Sequence, residues 1–410
     1  MANSFYTPTV VAKEFVRLLE QELVLGAMVG VDMSNEFKKN GDTVYSRRQM
    51  QYLGQDDNID LSSFTEDVVE GTVPVQMNKT WSNKVSIGAT DRTLNFDRWS
   101  EQVVMPMARR AAEKIETSLA SLYTKFYHFD GTAGTAISAL GDLADTGAYM
   151  TDVGIPVSNR IAFHPPTIGA TISTAIAGSN IQGRNKSALE KAMIGTAGGF
   201  DNYETAYVPT HTVGIATGTP LVNGASQNVT YATAKDSWSQ TLNTDGWTNS
   251  QTGILKAGDT FTIAGVYSVH PGTKVSTSRL QTFTVLSDAD SGASTGPSAL
   301  TVSPPIITSG AFQTVSAAPA DNAAITVKTG IGGTAYRQSL LLDPGCVTLV
   351  SRPLDIPGDA GLKTSTQAGN KVTVSVSEWT DGNTLAHNMR FDVLWGREVL
   401  DPRRGMRLTA

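Results

Sequence analysis

The chain has 410 residues, 40% of them hydrophobic, with 32 Lys and Arg against 38 Asp and Glu and a formal net charge of -6. Only 17% of residues are charged, which excludes a highly charged disordered polypeptide and leaves apolar material for two or three domains or one elaborated one. The mild acidity argues against tight phosphate-driven binding to nucleic acid, and the single Cys346 excludes a disulfide scaffold and favours a reducing compartment.

No run approaches the ~20 apolar residues of a membrane span. The start, Met1-Ala2-Asn3-Ser4-Phe5, lacks the basic-then-apolar order of a secretory signal, so a soluble protein made inside a cell is expected. A helix is predicted first, with Thr7 as cap, Pro8 in its first turn and Val11, Phe15, Leu18, Leu19 and Leu23 at helical spacing. Such a stripe must dock, either on the chain's own core or on a neighbour's. A hairpin follows. Val44 and Tyr45 open one arm, residues 54–58 form a polar tip, and residues 68–77 return with Val73, Val75 and Met77 alternating against Thr72, Pro74 and Gln76. Pro74 puts that strand at an edge or a strand end. Charges cluster here: Arg47 and Arg48 on one arm, Asp56, Asp57, Asp60, Glu66 and Asp67 further on. They are either a solvated loop or partners for another subunit.

A long helix is predicted over 97–127, where Trp99, Val103, Met107, Ala111, Ile115, Leu119, Leu122 and Phe126 advance by three or four. Pro106 either kinks it or marks its true start. Residues 160–206 read as mixed α/β: a strand over 160–164 ended by Pro165-Pro166, a helix over 167–177 and a short helix over 187–194. Glutamate, scattered over 14–204, is absent from Thr205 to Ser377. With abundant Thr, Val, Ser and Gly, that marks a β-rich region, and residues 212–330 read as an inserted small barrel or sandwich with strands at 260–264 and 281–286. Beyond it come a short helix over 334–342 and strands at 347–351, 371–378 and 388–395.

Catalytic motifs fail on context. Gly292-Ala293-Ser294-Thr295-Gly296 fits a nucleophile elbow, but it lies in a polar run with no helix after it. Gly330 to Ala335 fits a dinucleotide fingerprint and precedes the predicted helix, with Asp355 beyond, but no further alternating units follow. Asp288-Ala289-Asp290 lacks the other ligands of a calcium loop, and His128, His164, His211, His270 and His387 have no metal-ligand spacing. No enzyme, metal or cofactor is expected.

The order of parts resembles a tailed-phage major capsid protein of the Hong Kong 97-type fold, closest to the coat-protein family of phages like Salmonella phage P-twenty-two. The likeness is carried by Leu255 to Val266, by Tyr207 to Gly214 running into the insertion, by Val347 to Leu354, and by Phe391 to Gly396 with Arg403-Arg404-Gly405-Met406 at the end. Pro106 departs from the pattern. The resemblance implies an α+β fold with an inserted all-β barrel-like domain. Its parts would be an N-terminal arm (1–40), an extended hairpin or E-loop (41–78), a peripheral domain with spine helix (79–159), an axial domain (160–211 and 331–410, the latter with return strands) and the insertion (212–330). It implies a virion protein made and assembled in the bacterial host cytoplasm, forming pentamers and hexamers with its own copies around a scaffolding protein. A portal protein, weakly held double-stranded DNA and a decoration protein are further implied partners, with no membrane, and the shell expands later. Arg47, Arg48, Asp56, Asp57, Asp60, Glu66 and Asp67 become candidate inter-subunit contacts, and Val11, Phe15, Leu18, Leu19 and Leu23 candidate docking residues of the arm. Two other readings stay open: a β-rich surface-layer or adhesin protein, and an NAD-binding enzyme resting on Gly330 to Ala335.

Overall fold

In a computed structural model of the chain, residues 8–30, 41–55, 60–62, 64–88, 100–135, 137, 140–177, 195–356 and 362–409 are described. The chain divides into two compact units, Met1–Tyr45 with Pro74–Ala120 and Val347–Glu398, and Ser46–Val73 with Ser121–Cys346 and Val399–Ala410. Thr7, Trp99 and the helix expected over 187–194 lie outside the described residues.

The first unit packs helices on an antiparallel sheet. Pro8 starts the helix Pro8–Glu22, where a missing backbone donor costs nothing. Its buried face of Val11, Ala12, Phe15, Val16 and Leu19 rests on the helix Met105–Ala120 and the strands Lys363–Ala368 and Thr373–Thr380. The sheet order is Val347–Arg352, His387–Val399, Thr373–Thr380, Lys363–Ala368, with Lys79–Ile87 also pairing along His387–Val399. Phe391 stacks on Phe15 with centroids 5.0 Å apart, and Trp81 lies 6.2 Å from Phe15.

Pro106 is the second residue of the helix Met105–Ala120, and the turn before it, Ser100–Val104, is π-helical. A ring at that position clashes with no preceding α-turn, so the proline sits in the first turn of an α-helix that begins at Met105. The 3-10 turn Ser121–Lys125 ends the helical run, so 126–127 are not helical as expected. The Glu116 carboxylate accepts from the backbone N–H of Val24 (3.0 Å), Leu25 (3.0 Å) and Gly26 (2.9 Å), capping the short helix Leu25–Met28. Burial raises its pKa, and those three bonds only partly offset the rise.

The second unit holds two sheets. In the seven-stranded sheet the order is His128–Asp130, Gly405–Thr409, Ala335–Leu342, Ile161–His164, Phe200–Glu204, Thr196–Ala197, with Thr210–Thr212 paired onto Ala335–Leu342. The helices Leu140–Asp152 and Pro166–Ala177 supply Leu143, Met150 and Ile172 to a core with Phe200, Leu341 and Met406. The helix expected over 334–342 is instead this sheet's strand Ala335–Leu342. Leu340 to Leu342 pair with Phe163 to Ile161 on one side and with Arg407 to Gly405 on the other. Laddering on both edges outweighs the helical propensity of a Leu- and Arg-containing run.

The six-stranded sheet comes from Gly218 to Val327 in the order Ile325–Val327, Thr260–Val269, Ser276–Val285, Ser298–Ser303, Gln240–Trp247, Gly218–Val222. An antiparallel bridge from Leu221 to Ala324 links its two ends, so the barrel is nearly closed. Phe261 faces Phe283 across the ladder with rings 5.8 Å apart, among Leu242, Ile263, Val285, Leu300 and Val302. The ladder shifts register after Thr262, where Gly265 takes φ +80°, a left-handed conformation suited to glycine.

Two outcomes follow. Glu116→Ala orphans three N–H groups and is expected to lower the unfolding free energy of the unassembled subunit by about 3 kcal/mol in urea titrations. His164 bonds Ser339 Oγ (2.8 Å) and Asn202 Oδ1 (2.9 Å), and burial lowers its pKa from 6.5 to about 4. The unfolded chain therefore gains a proton that the folded chain refuses between those values. Stability is full above pH 6.5 and falls as pH drops toward 4, by up to about 3 kcal/mol. Urea unfolding in a pH series should show that slope added to the one from His128, whose pKa burial lowers to about 3, and His164→Asn should remove the His164 share and make the slope shallower.

Candidate assembly surface

The hairpin strands Thr43–Arg47 and Thr72–Gln76 form a two-stranded sheet. Val44, Val73 and Val75 are buried, while Pro74 and Gln76 are exposed. With only two strands each has a free edge, which is where a proline is tolerated.

The charged candidates do different things. Arg47 is 77% exposed and reaches Glu70 at 3.4 Å. Arg48 is engaged inside its own chain: Nε donates to Lys235 O at 2.8 Å, Nη2 to Asp236 O at 3.3 Å, and the guanidinium lies 5.5 Å from the centre of the Trp238 ring. Glu66 accepts from Leu53 N (2.9 Å) and Gly54 N (3.2 Å), clipping one arm of the hairpin to the other. Asp60 accepts from Ser62 N at 2.9 Å, a bond that holds its carboxyl below the usual range. Asp67 is exposed, and Asp56 and Asp57 lie outside the described residues.

Sequence reasoning missed the apolar side chains of this hairpin. Tyr45 is 65% exposed, Tyr52 58%, Leu53 47%, Leu61 55% and Val68 64%. Isolated exposed apolar residues are ordinary, but here five fall within one hairpin. The only signal available was their presence in a run otherwise read as polar and charged.

Of the arm candidates, Val11, Phe15 and Leu19 are buried in their own unit, Leu18 is half-buried and Leu23 is buried just beyond the helix. Cys346 is a buried free thiol directly before the strand Val347–Arg352, and burial pushes its pKa up. Gly330 to Ala335 runs into a strand, so it presents no helix N-terminus to a pyrophosphate. Gly292 to Gly296 is a loop followed by the strand Ser298–Ser303. Among the described residues no group of three His, Cys, Asp or Glu is placed to hold a metal, and no helix is long and apolar enough to cross a membrane.

The family described as "P22 coat protein - gene protein 5" matches residues 1–410. A major capsid protein of Acyrthosiphon pisum secondary endosymbiont phage 1 is 26% identical over 315 residues, 74% of each chain. Among solved structures the chain is similar to one from Mycobacterium phage Che8, at 10% identity over 94% of this chain and 90% of that one, with a TM-score of 0.45. A chain in the capsid structure of the cyanophage P-SCSP1u is 11% identical over 93% and 85%, with a TM-score of 0.44.

The two arginines should separate in the test tube. Arg47→Ala is expected to change subunit stability by less than about 0.5 kcal/mol. Arg48→Ala strips a partly buried carbonyl of its donor and removes a ring contact, and should cost about 2 kcal/mol in the same urea titration.

Proposed function

This chain belongs to the P22 coat protein family and is the major capsid protein of a phage head, a structural protein of the virion that assembles with its own copies; on that premise we propose that the hairpin is the limb by which one copy grips the next. The family is one of capsid proteins and not of enzymes, and neither the surface-layer nor the NAD-enzyme reading is favoured. The α+β architecture with its nearly closed inserted sheet is the Hong Kong 97-type fold that the family resemblance implies.

The observation that carries the proposal is the exposure of Tyr52, Leu53, Leu61 and Val68 on the hairpin. Each is about half exposed, so burying the remainder against a neighbour is worth about 1–2 kcal/mol. An exposed ion pair such as that of Arg47 is worth about 0.5 kcal/mol. The apolar side chains therefore supply the grip, and the charges set register and suppress wrong pairings.

The finer proposals are those of the family resemblance. Copies form pentamers and hexamers in which the same hairpin meets neighbours at slightly different angles, a demand suited to heterologous contacts that close rings. Assembly is scaffold-assisted, takes place in the host cytoplasm around a portal vertex, and precedes expansion. A net charge of -6 suits an inner wall that touches packaged double-stranded DNA only weakly. Binding of a decoration protein belongs to the same set. The division into arm, hairpin, peripheral, axial and inserted parts, with the boundaries given above, is part of the proposal too.

Replacing Tyr52, Leu53, Leu61 and Val68 together with Ser should leave a folded subunit by circular dichroism and abolish closed shells in negative-stain images. Normal shells from that variant would refute the hairpin's role.

A further inference from the structure

Both arms of the hairpin are fastened to one short segment of the inserted domain, residues 231–238. On the first arm, Arg48 donates to the carbonyls of Lys235 and Asp236. On the second, Thr72 gives its N–H (2.9 Å) and its hydroxyl (3.0 Å) to Asp236 Oδ1. Between them Gly71 lies so close that an added Cβ would sit 2.5 Å from Lys235 O and 2.9 Å from Tyr231 Oη. Only a glycine permits that approach.

Trp238 is the centre of this joint. It is 3% exposed and has two cations against its ring, Arg48 at 5.5 Å and Arg403 at 5.2 Å. Arg403 is itself fixed by a two-pronged bond to Asp401, at 2.8 and 2.9 Å. Gln51, with its amide turned to suit both partners, donates to Ala311 O (3.0 Å) and accepts from Arg403 Nη1 (2.9 Å). Met50 packs on the aromatic cluster of Tyr127, Trp238 and Phe312.

A second observation is independent of these contacts. Trp238 adopts φ +51°, a left-handed conformation that is an outlier for a bulky side chain. Residues held in such a state persist only where the surroundings over-determine them, and they cluster at sites where position matters. An ordinary core tryptophan does not need it.

We infer that the inserted β domain sets the direction of its own subunit's hairpin, with Trp238, which has the guanidiniums of Arg48 and Arg403 against its ring, as the positioning residue. The inference rests on the hairpin being the limb that grips a neighbour. A limb free to pivot at its base would lose that freedom on docking, and holding it beforehand removes the loss from every contact made. The insertion thus acts on assembly through its own subunit's hairpin.

The test is hydrogen exchange by mass spectrometry on the full-length, unassembled subunit, followed by assembly of the same samples. Trp238→Ala should raise exchange in peptides covering 46–55 and 64–73 by about tenfold or more while leaving the barrel strands Thr260–Val269 and Ser276–Val285 unchanged. Trp238→Phe, which keeps a ring face, should restore protection. Asp236→Ala removes the Thr72 bonds and the ion pair with Lys235 from an exposed site, so it folds even if Trp238→Ala does not, and it should loosen 64–73 while leaving 46–55 protected. Unchanged hairpin exchange in Trp238→Ala, or in Asp236→Ala where the tryptophan variant does not fold, overturns the inference. Raised exchange with normal shells leaves the joint standing and overturns the hairpin's role as the grip.

Discussion

A buried cation holds the second unit together. Arg407 is completely buried on the strand Gly405–Thr409 and satisfies itself on neutral oxygens. Nε donates to Phe126 O at 2.9 Å, Nη1 to Gly258 O at 2.6 Å and Gln338 Oε1 at 3.2 Å, and Nη2 to Thr284 Oγ1 at 3.2 Å. The rings of Tyr123 and Phe129 lie 5.7 and 5.6 Å from its charge, and burial lowers its pKa to about 10. A charge taken from water is tolerated only when its donors are filled. That requirement fixes the end of the spine segment, the barrel and the seven-stranded sheet at set distances from one another.

The same logic roots the insertion. Asp259 accepts from His211 Nε2 (2.8 Å), Thr329 Oγ1 (2.9 Å), Gly214 N (2.9 Å) and Lys256 N (2.7 Å), and Tyr123 Oη meets the other ring nitrogen of His211 at 2.9 Å. Burial alone would raise the carboxyl's pKa, yet these bonds hold it below the ordinary value. Gly214 and Thr329 stand where the chain enters and leaves the barrel, so one carboxylate ties both ends of the inserted stretch. A domain spliced into another needs such a stem, because two flexible connections would let it swing.

Local pattern explains what the sequence disclosed. The stripe of Val11, Phe15 and Leu19 and the alternation of Val73 and Val75 each follow from one element's own periodicity, and both appear in the structure. The loss of glutamate marked the β-rich stretch because that bias is summed over many residues. What stayed hidden depends on partners distant in the chain. Ala335–Leu342 is a strand only because Ile161–His164 and Gly405–Thr409 flank it. Arg48 looked equivalent to Arg47, yet its partners lie 187 and 188 positions away. Tyr52, Leu53 and Leu61 follow no period, and Val68 stood only at the start of the expected returning strand, so nothing marked them as exposed apolar groups until the structure was seen.

The hairpin's composition answers a conflict inherent in a subunit that must stay separate before it assembles. Exposed apolar groups on an unpaired two-stranded ribbon are a hazard, since any copy can pair with any other. Here they alternate with acidic groups: Asp60 precedes Leu61, Asp67 precedes Val68, and Glu66 is clipped to the backbone of Leu53 and Gly54. Two such hairpins meeting face to face would set carboxylates against carboxylates, and like charges placed opposite one another are unfavourable. A different surface of the next copy, supplying donors to those carboxylates and an apolar seat, would meet no such penalty. On the proposal that the hairpin grips the next copy, the charges would decide which encounter is permitted, and the apolar side chains beside them how firmly it holds.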